Sequence, residues 1–117
     1  NSQSVNNVEI KIDENITCVF AQGAANNEPA YYDSGSAIRM YQNGAILDIK
    51  ASNGKTIKEI ELTFGSNMYY LDADSGKLTA ESPVRVWTGD ASVVRFTATG
   101  TDKNHRAYVA AIKVSYE

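Results

Sequence analysis

Residues that announce a specialised chemistry are scarce here: 117 residues hold one cysteine, one histidine, one tryptophan and two prolines. A lone Cys18 excludes an intrachain disulfide and a cysteine-built zinc site. It shares a strand face with Ile16 and Phe20, so it reads as a small buried hydrophobe. No apolar run approaches the roughly 20 residues that cross a bilayer as a helix. The eleven Lys and Arg are scattered, and a net charge of −3 with a pI near 5.1 leaves no dense basic surface. That argues against nucleic acid and against a polybasic membrane patch. Helical periodicity is almost absent as well.

What the chain does have is alternation. Hydrophobic residues make up 43% and charged residues 21%, ordinary for one folded domain of this length, 1–117. Short alternating runs recur between Gly, Asn, Asp and Ser turns, the signature of an all-β protein. Val8 to Ile12 and Ile16 to Phe20 flank a turn at Asp13-Glu14-Asn15, and 21–28 reads as a loop. The opening Asn-Ser-Gln-Ser-Val-Asn-Asn, 1–7, reads as linker, as at the start of a mature or excised module.

The most informative stretch is Pro29 to Gly44. Tyr31 and Tyr32 lead into an Asp33-Ser34-Gly35 turn, a short strand follows, and Asn43-Gly44 closes it. Strand geometry points Ala37, Arg39 and Tyr41 one way and Ile38 and Met40 the other, setting a guanidinium beside a phenol.

A weak internal repeat organises the remainder. Ile57, Ile60, Leu62 and Phe64 share their spacing with Val109, Ile112, Val114 and Tyr116. Leu47, Ile49 and Ala51 precede the first set; Val94, Phe96 and Ala98 precede the second. Ser52-Asn53-Gly54-Lys55 reads as a hairpin turn. Gly100 to Ala107 joins the second pair, and 68–80 reads as an edge hairpin about Ala73-Asp74-Ser75-Gly76. The three-residue step within each long strand predicts a β-bulge. Two such ribbons, each with one apolar face, predict a two-sheet antiparallel β-sandwich, jelly-roll-like.

Bond-breaking machinery is not visible. His105 lies in the polar run Thr101 to Arg106, with no motif around any serine. Asp33, Asp48, Glu59, Glu61, Asp72 and Asp74 each have a place in a turn or on a wet strand face, so no acid pair for glycoside hydrolysis stands out. No cofactor is expected. The single candidate is a structural calcium at Leu71 to Gly76, which departs from the EF-hand pattern by putting Gly at a ligand position and lacking the closing Glu. Trp87 reads as core. The tyrosines are a better lead, because rings with Arg, Asn and Asp beside them suit sugars. Tyr31, Tyr32, Asp33, Arg39 and Tyr41 are the first ligand-binding candidates, with Tyr69 and Tyr70 second. The alternative pairs Arg39 with Asp33 or Asp48 and closes the end of the sandwich.

Tyr31-Tyr32-Asp33-Ser34-Gly35-Ser36-Ala37-Ile38-Arg39-Met40-Tyr41 resembles a segment of secreted, often lipoprotein-linked modules of gut Bacteroidetes-type bacteria. Lys55 to Leu62, Trp87 to Gly89 and Ile112 to Val114 continue that resemblance, which covers most of the chain from Tyr31 onward. It implies an extracytoplasmic β-sandwich accessory module, secreted or on the cell surface. It carries over no binding residues. The expectation is therefore a non-catalytic carbohydrate-binding module, a monomer or one part of a larger chain. The alternative is a structural or adhesive module whose partner is another surface protein.

Overall fold

Leu47, Ile49 and Ala51 alternate with Asp48 and Lys50, just as Val94, Phe96 and Ala98 alternate with Arg95 and Thr97. A pleated strand sends each set to one face. In the computed structural model, which describes residues 1–117, both sets are buried and lie side by side. The chain runs through β1 (Ser2–Ser4), β2 (Glu9–Asp13), β3 (Ile16–Ala21), β4 (Ala30–Tyr32), β5 (Ala37–Met40) and β6 (Ile46–Ala51). It continues through β7 (Ile57–Tyr69), β8 (Leu71–Ala73), β9 (Lys77–Leu78), β10 (Val84–Ala91), β11 (Val93–Ala98) and β12 (Ala107–Tyr116). One sheet has the order β1-β4-β5-β12-β7-β10-β9, the other β2-β3-β6-β11-β8. The two pack as the expected antiparallel β-sandwich.

From β5 onward the pairing nests: β5 with β12, β6 with β11, β7 with β10. A ribbon doubled back on itself and rolled into two sheets is the jelly-roll wrapping. It corrects the hairpin readings. Ser52 to Lys55 does reverse the chain, with Asn53 and Gly54 at φ of 59° and 73°. Yet β6 and β7 belong to different sheets, as do β11 and β12, and β8 and β9. Each turn is an arch. A turn fixes reversal but not pairing; here the two apolar faces meet across the core, and each strand finds its ladder within its own sheet.

The predicted bulges are present. Ser115 and Tyr116 oppose Glu59 and Ile57, so β7 carries an extra residue at Lys58. Val109 and Ala111 oppose Phe64 and Thr63, so β12 carries one at Ala110. Residues 1–7 differ from the linker reading. Ser2–Ser4 pairs with β4, and Val5 and Asn7 donate to the carbonyls of Pro29 and Phe20. Composition alone misses this because an edge strand needs only one neighbour and little apolar surface.

Rows of side chains fill the interior. Cys18, Ile49 and Val94 face inward in register across β3, β6 and β11, and Phe20, Leu47 and Phe96 form the next row. Ile57, Ile60 and Leu62 of β7 close on them from the other sheet, with Met40 and Trp87. Trp87 is 0% exposed, and its indole N–H donates to the Ser75 carbonyl at 2.6 Å. Gly76 and Gly89 lie on it, and a Cβ at either would stand 2.6–2.7 Å from indole atoms.

One core residue is charged. Arg85 points inward on β10 and is only 6% exposed. Its guanidinium donates to the carbonyls of Tyr69, Leu71 and Thr79 at 2.8–3.1 Å, pinning the places where β7, β8 and β9 part company. Desolvation lowers its pKa, and these carbonyls take the place of a counter-ion. Arg85→Met should therefore cost about 1–3 kcal/mol for each carbonyl that water does not reach, read as a lower midpoint in urea unfolding.

Burial pushes the Cys18 thiol up to about 11 from 9.0. The folded state then resists ionisation, so stability linked to this thiol is full below pH 9 and falls as pH rises from 9 towards 11. Cys18→Ala should lose less stability than the parent between those two pH values. Identical alkaline slopes in denaturant titrations would contradict this.

Candidate functional site

β5 and β12 become neighbours only through the nested pairing, and this decides what stands beside Arg39. Tyr32 pairs with Ala37, and Arg39 pairs with both Ala30 and Tyr108. Cross-strand partners share a face. Tyr32, Arg39 and Tyr108 thus stand together on the outside of the seven-stranded sheet. The Arg39 guanidinium lies 3.7 Å from the Tyr32 ring centroid and 4.8 Å from that of Tyr108. Both distances are within cation–π range.

The cluster closes into a ring. Tyr32 and Tyr41 hydroxyls are 2.6 Å apart. Arg106 lies 4.6 Å from the Tyr41 ring centroid, donates to Gln42 Oε1 at 2.7 Å, and reaches the Tyr108 hydroxyl at 3.4 Å. The hydrogen bond from Tyr41 is the main cause of a lowered Tyr32 pKa, with the Arg39 charge adding to it. Tyr41 moves the other way, raised first by its burial and then by Tyr32, against a smaller downward pull from Arg39.

Beside this cluster is a pocket of about 120 Å³ lined by Tyr32, Ser34, Gly35, Ala37, Arg39, Gly65, Ser66 and Tyr108. Its far wall is an excursion in β7. Phe64 and Tyr69 oppose Val109 and Ala107, so Gly65 to Met68 bulges out of register. Ser66 and Asn67 within it, and Ser36 across from it, have φ of 48–56°. Left-handed backbone at two serines is a local cost that clusters at binding sites.

The sequence candidates separate. Tyr32 and Arg39 reach the pocket. Tyr41 is 8% exposed, and Arg106 stacks on its ring, so it supports the cluster and offers no face to a ligand. Tyr31 pairs with Ile38 and projects from the opposite face, 38% exposed. Asp33 is exposed in the turn and forms no ion pair with Arg39. Asp48 does not serve Arg39 either, because it holds Arg95 through two hydrogen bonds. Tyr69 and Tyr70 form a second group, ring centroids 4.8 Å apart and tilted by 35°, with His105 edge-on to Tyr70. No flat platform of coplanar exposed rings emerges.

Other candidates have local work. His105 Nδ1 meets Asp102 Oδ1 at 2.7 Å, and this contact leads the lowering of the Asp102 pKa. In the Leu71 to Gly76 stretch, Asp74 accepts from the Arg95 backbone and Asp72 from the Ala73 backbone. No three acidic, histidine or cysteine side chains converge there or elsewhere. Two further hollows differ in kind. A groove of about 210 Å³ under β2, with Ile10, Ile12, Ile38 and Ile112 in its walls, is lined only by hydrophobic residues. A hollow at β8 and β9 is bordered by Arg85, which already makes four hydrogen bonds to backbone carbonyls.

Sequence reasoning missed Tyr108, Arg106 and Ser66. Tyr108 lies 69 positions from Arg39, and only the β5–β12 ladder joins them. No family model, curated protein or solved structure matches the chain.

If the Tyr41 hydrogen bond is what depresses Tyr32, Tyr41→Phe should raise the lowest tyrosine pKa in a tyrosinate absorbance titration while leaving the fold intact. An unchanged titration would place the cause elsewhere.

Proposed function

We propose that the protein is a non-catalytic carbohydrate-binding module, acting outside the cytoplasm as a surface or secreted accessory unit. The observation that carries this reading is the pocket beside Arg39. It combines ring surface from Tyr32 and Tyr108, Ser34 and Ser66 in its lining, and a guanidinium with no carboxylate partner. Sugars need this mixture: C–H surface for a ring, and polar partners for hydroxyls. The similarity of Tyr31 to Tyr41 to gut-bacterial surface modules points the same way.

The pocket is small against the roughly 300–1,000 Å³ of small-molecule sites, so it would take one end of a glycan and not a stacked chain. Tyr108 and Arg39 are assigned the recognition, with Tyr32 holding Arg39 in place. A second reading, a spacer or adhesive unit that pairs with another surface protein, draws on the apolar groove under β2. Ile12 in its wall is 38% exposed.

Affinity-gel electrophoresis and a glycan array covering plant, algal and host glycans test the first reading. Retention by at least one glycan is expected, with Tyr108→Ala weakening it about tenfold or more, as loss of a stacking ring and its packing would. No retention by any glycan would transfer the assignment to the second reading.

A further inference from the structure

Each of the four arginines faces a different partner set. Arg85 is satisfied by backbone carbonyls, Arg95 by the Asp48 carboxylate, and Arg106 by Gln42 and Tyr108. Arg39 forms no ion pair; its polar contact within the protein is with the Tyr41 hydroxyl, and no carboxylate meets it. It is nonetheless held in place, between two rings, on the wall of a pocket. A guanidinium held against rings, with no carboxylate on it, keeps N–H donors for a planar or tetrahedral oxyanion. No carboxylate lines the pocket, and the second guanidinium, Arg106, bears on the same Tyr108 ring system. The nearest acid in sequence, Asp33, forms no ion pair. In a chain of net charge −3, this locally positive spot is a property of the site and not of the whole surface.

We infer that the pocket selects a sugar bearing an oxyanion, either a uronic-type carboxylate or a sulfate ester, with the anion on Arg39 and the sugar ring against Tyr108. This rests on the carbohydrate reading above and narrows it to acidic glycans. The pocket volume of about 120 Å³ agrees with a site that grips a substituent group.

Calorimetric titration of the whole chain with methyl glucuronide, a sulfated galactose, and their neutral parents glucose and galactose tests it. One acidic sugar should bind at least about tenfold more tightly than its parent, the margin expected when a charge-assisted hydrogen bond replaces a neutral one. The carboxylate and sulfate arms identify which oxyanion is meant. Added salt should erode the difference, and Arg39→Met should abolish it. Gly35→Glu, on the pocket lining, provides a check that removes no ring or guanidinium of the cluster. A Cβ there meets nothing within 4 Å, and the new carboxylate would supply Arg39 with an internal counter-ion. It should remove acid binding while circular dichroism stays unchanged. Equal binding of acidic and neutral sugars would overturn the inference and leave the carbohydrate reading standing. Free sulfate or acetate binding as tightly as the sugar-borne anion would also overturn it. Failure of all four sugars would overturn the inference, while the glycan array decides the carbohydrate reading separately.

Discussion

The fold depends on two apolar strand faces meeting across a gap that only arches can bridge. Leu47, Ile49 and Ala51 must be covered, and so must Ile57, Ile60 and Leu62, a few residues later in the same chain. Paired as a hairpin, the two sets would lie in one sheet and leave that sheet's inner face bare. As an arch they cover each other. The second ribbon solves the same problem less completely, with Val109 buried and Ile112, Val114 and Tyr116 partly so, and the two zip together, β6 to β11 and β7 to β12. Fully burying side chains of this size stabilises by about 1.5–3 kcal/mol each, which outweighs any preference a turn can express.

That wrapping has consequences far from the core. Once β7 lies against β12, the free side of β12 is available to β5, and Arg39 is delivered to Tyr108. The bulge at Ala110 and the excursion at Gly65 to Met68 arise along the same β7–β12 seam. One seam therefore sets both the rigidity of the core and the shape of the outer pocket. Gly65 fits this placement: a Cβ there would meet only Gly35 O and Ala37 Cβ at 3.9–4.0 Å, so the pocket floor is not tightly packed.

Much of the architecture was legible in the residues. Period-two alternation marked the core strands, the spacing of Ile57 to Ile60 and Val109 to Ile112 marked the bulges, and Trp87 was placed inside. Pairing was not legible. Asn53-Gly54 carries the same local signal in an arch as in a hairpin, because positive φ reverses a chain without saying which neighbour it will meet. Strand β1 escaped for the opposite reason: Ser2–Ser4 has no apolar face to advertise it. Around the candidate pocket, the placing of Tyr32 beside Arg39 follows from their own segment. The burial of Tyr41 is not legible locally, because its ring is covered by Arg106, which arrives from a loop 65 positions away. Long-range partners decide whether a tyrosine is a platform or a prop.

The arginines make the same point in energetic terms. Removed from water, a guanidinium needs acceptors for its donors, and the fold has supplied them wherever the charge is buried. Arg85, the most enclosed, has its bonds spread over three carbonyls. Arg39 lies at the other end of that scale. Two tyrosine rings lie against its guanidinium, which strips part of its hydration, and the residue lines a pocket. A cation partly desolvated but unpaired binds an arriving anion more strongly than a fully hydrated surface lysine does, because less water remains to be displaced. Holding such a group in that state costs the folded protein stability that a nearby aspartate would have restored, and Asp48 is spent instead on Arg95. Arg39 is thus the arginine beside a pocket that the fold has not paired with a carboxylate, and the proposal of an acidic ligand rests on that difference.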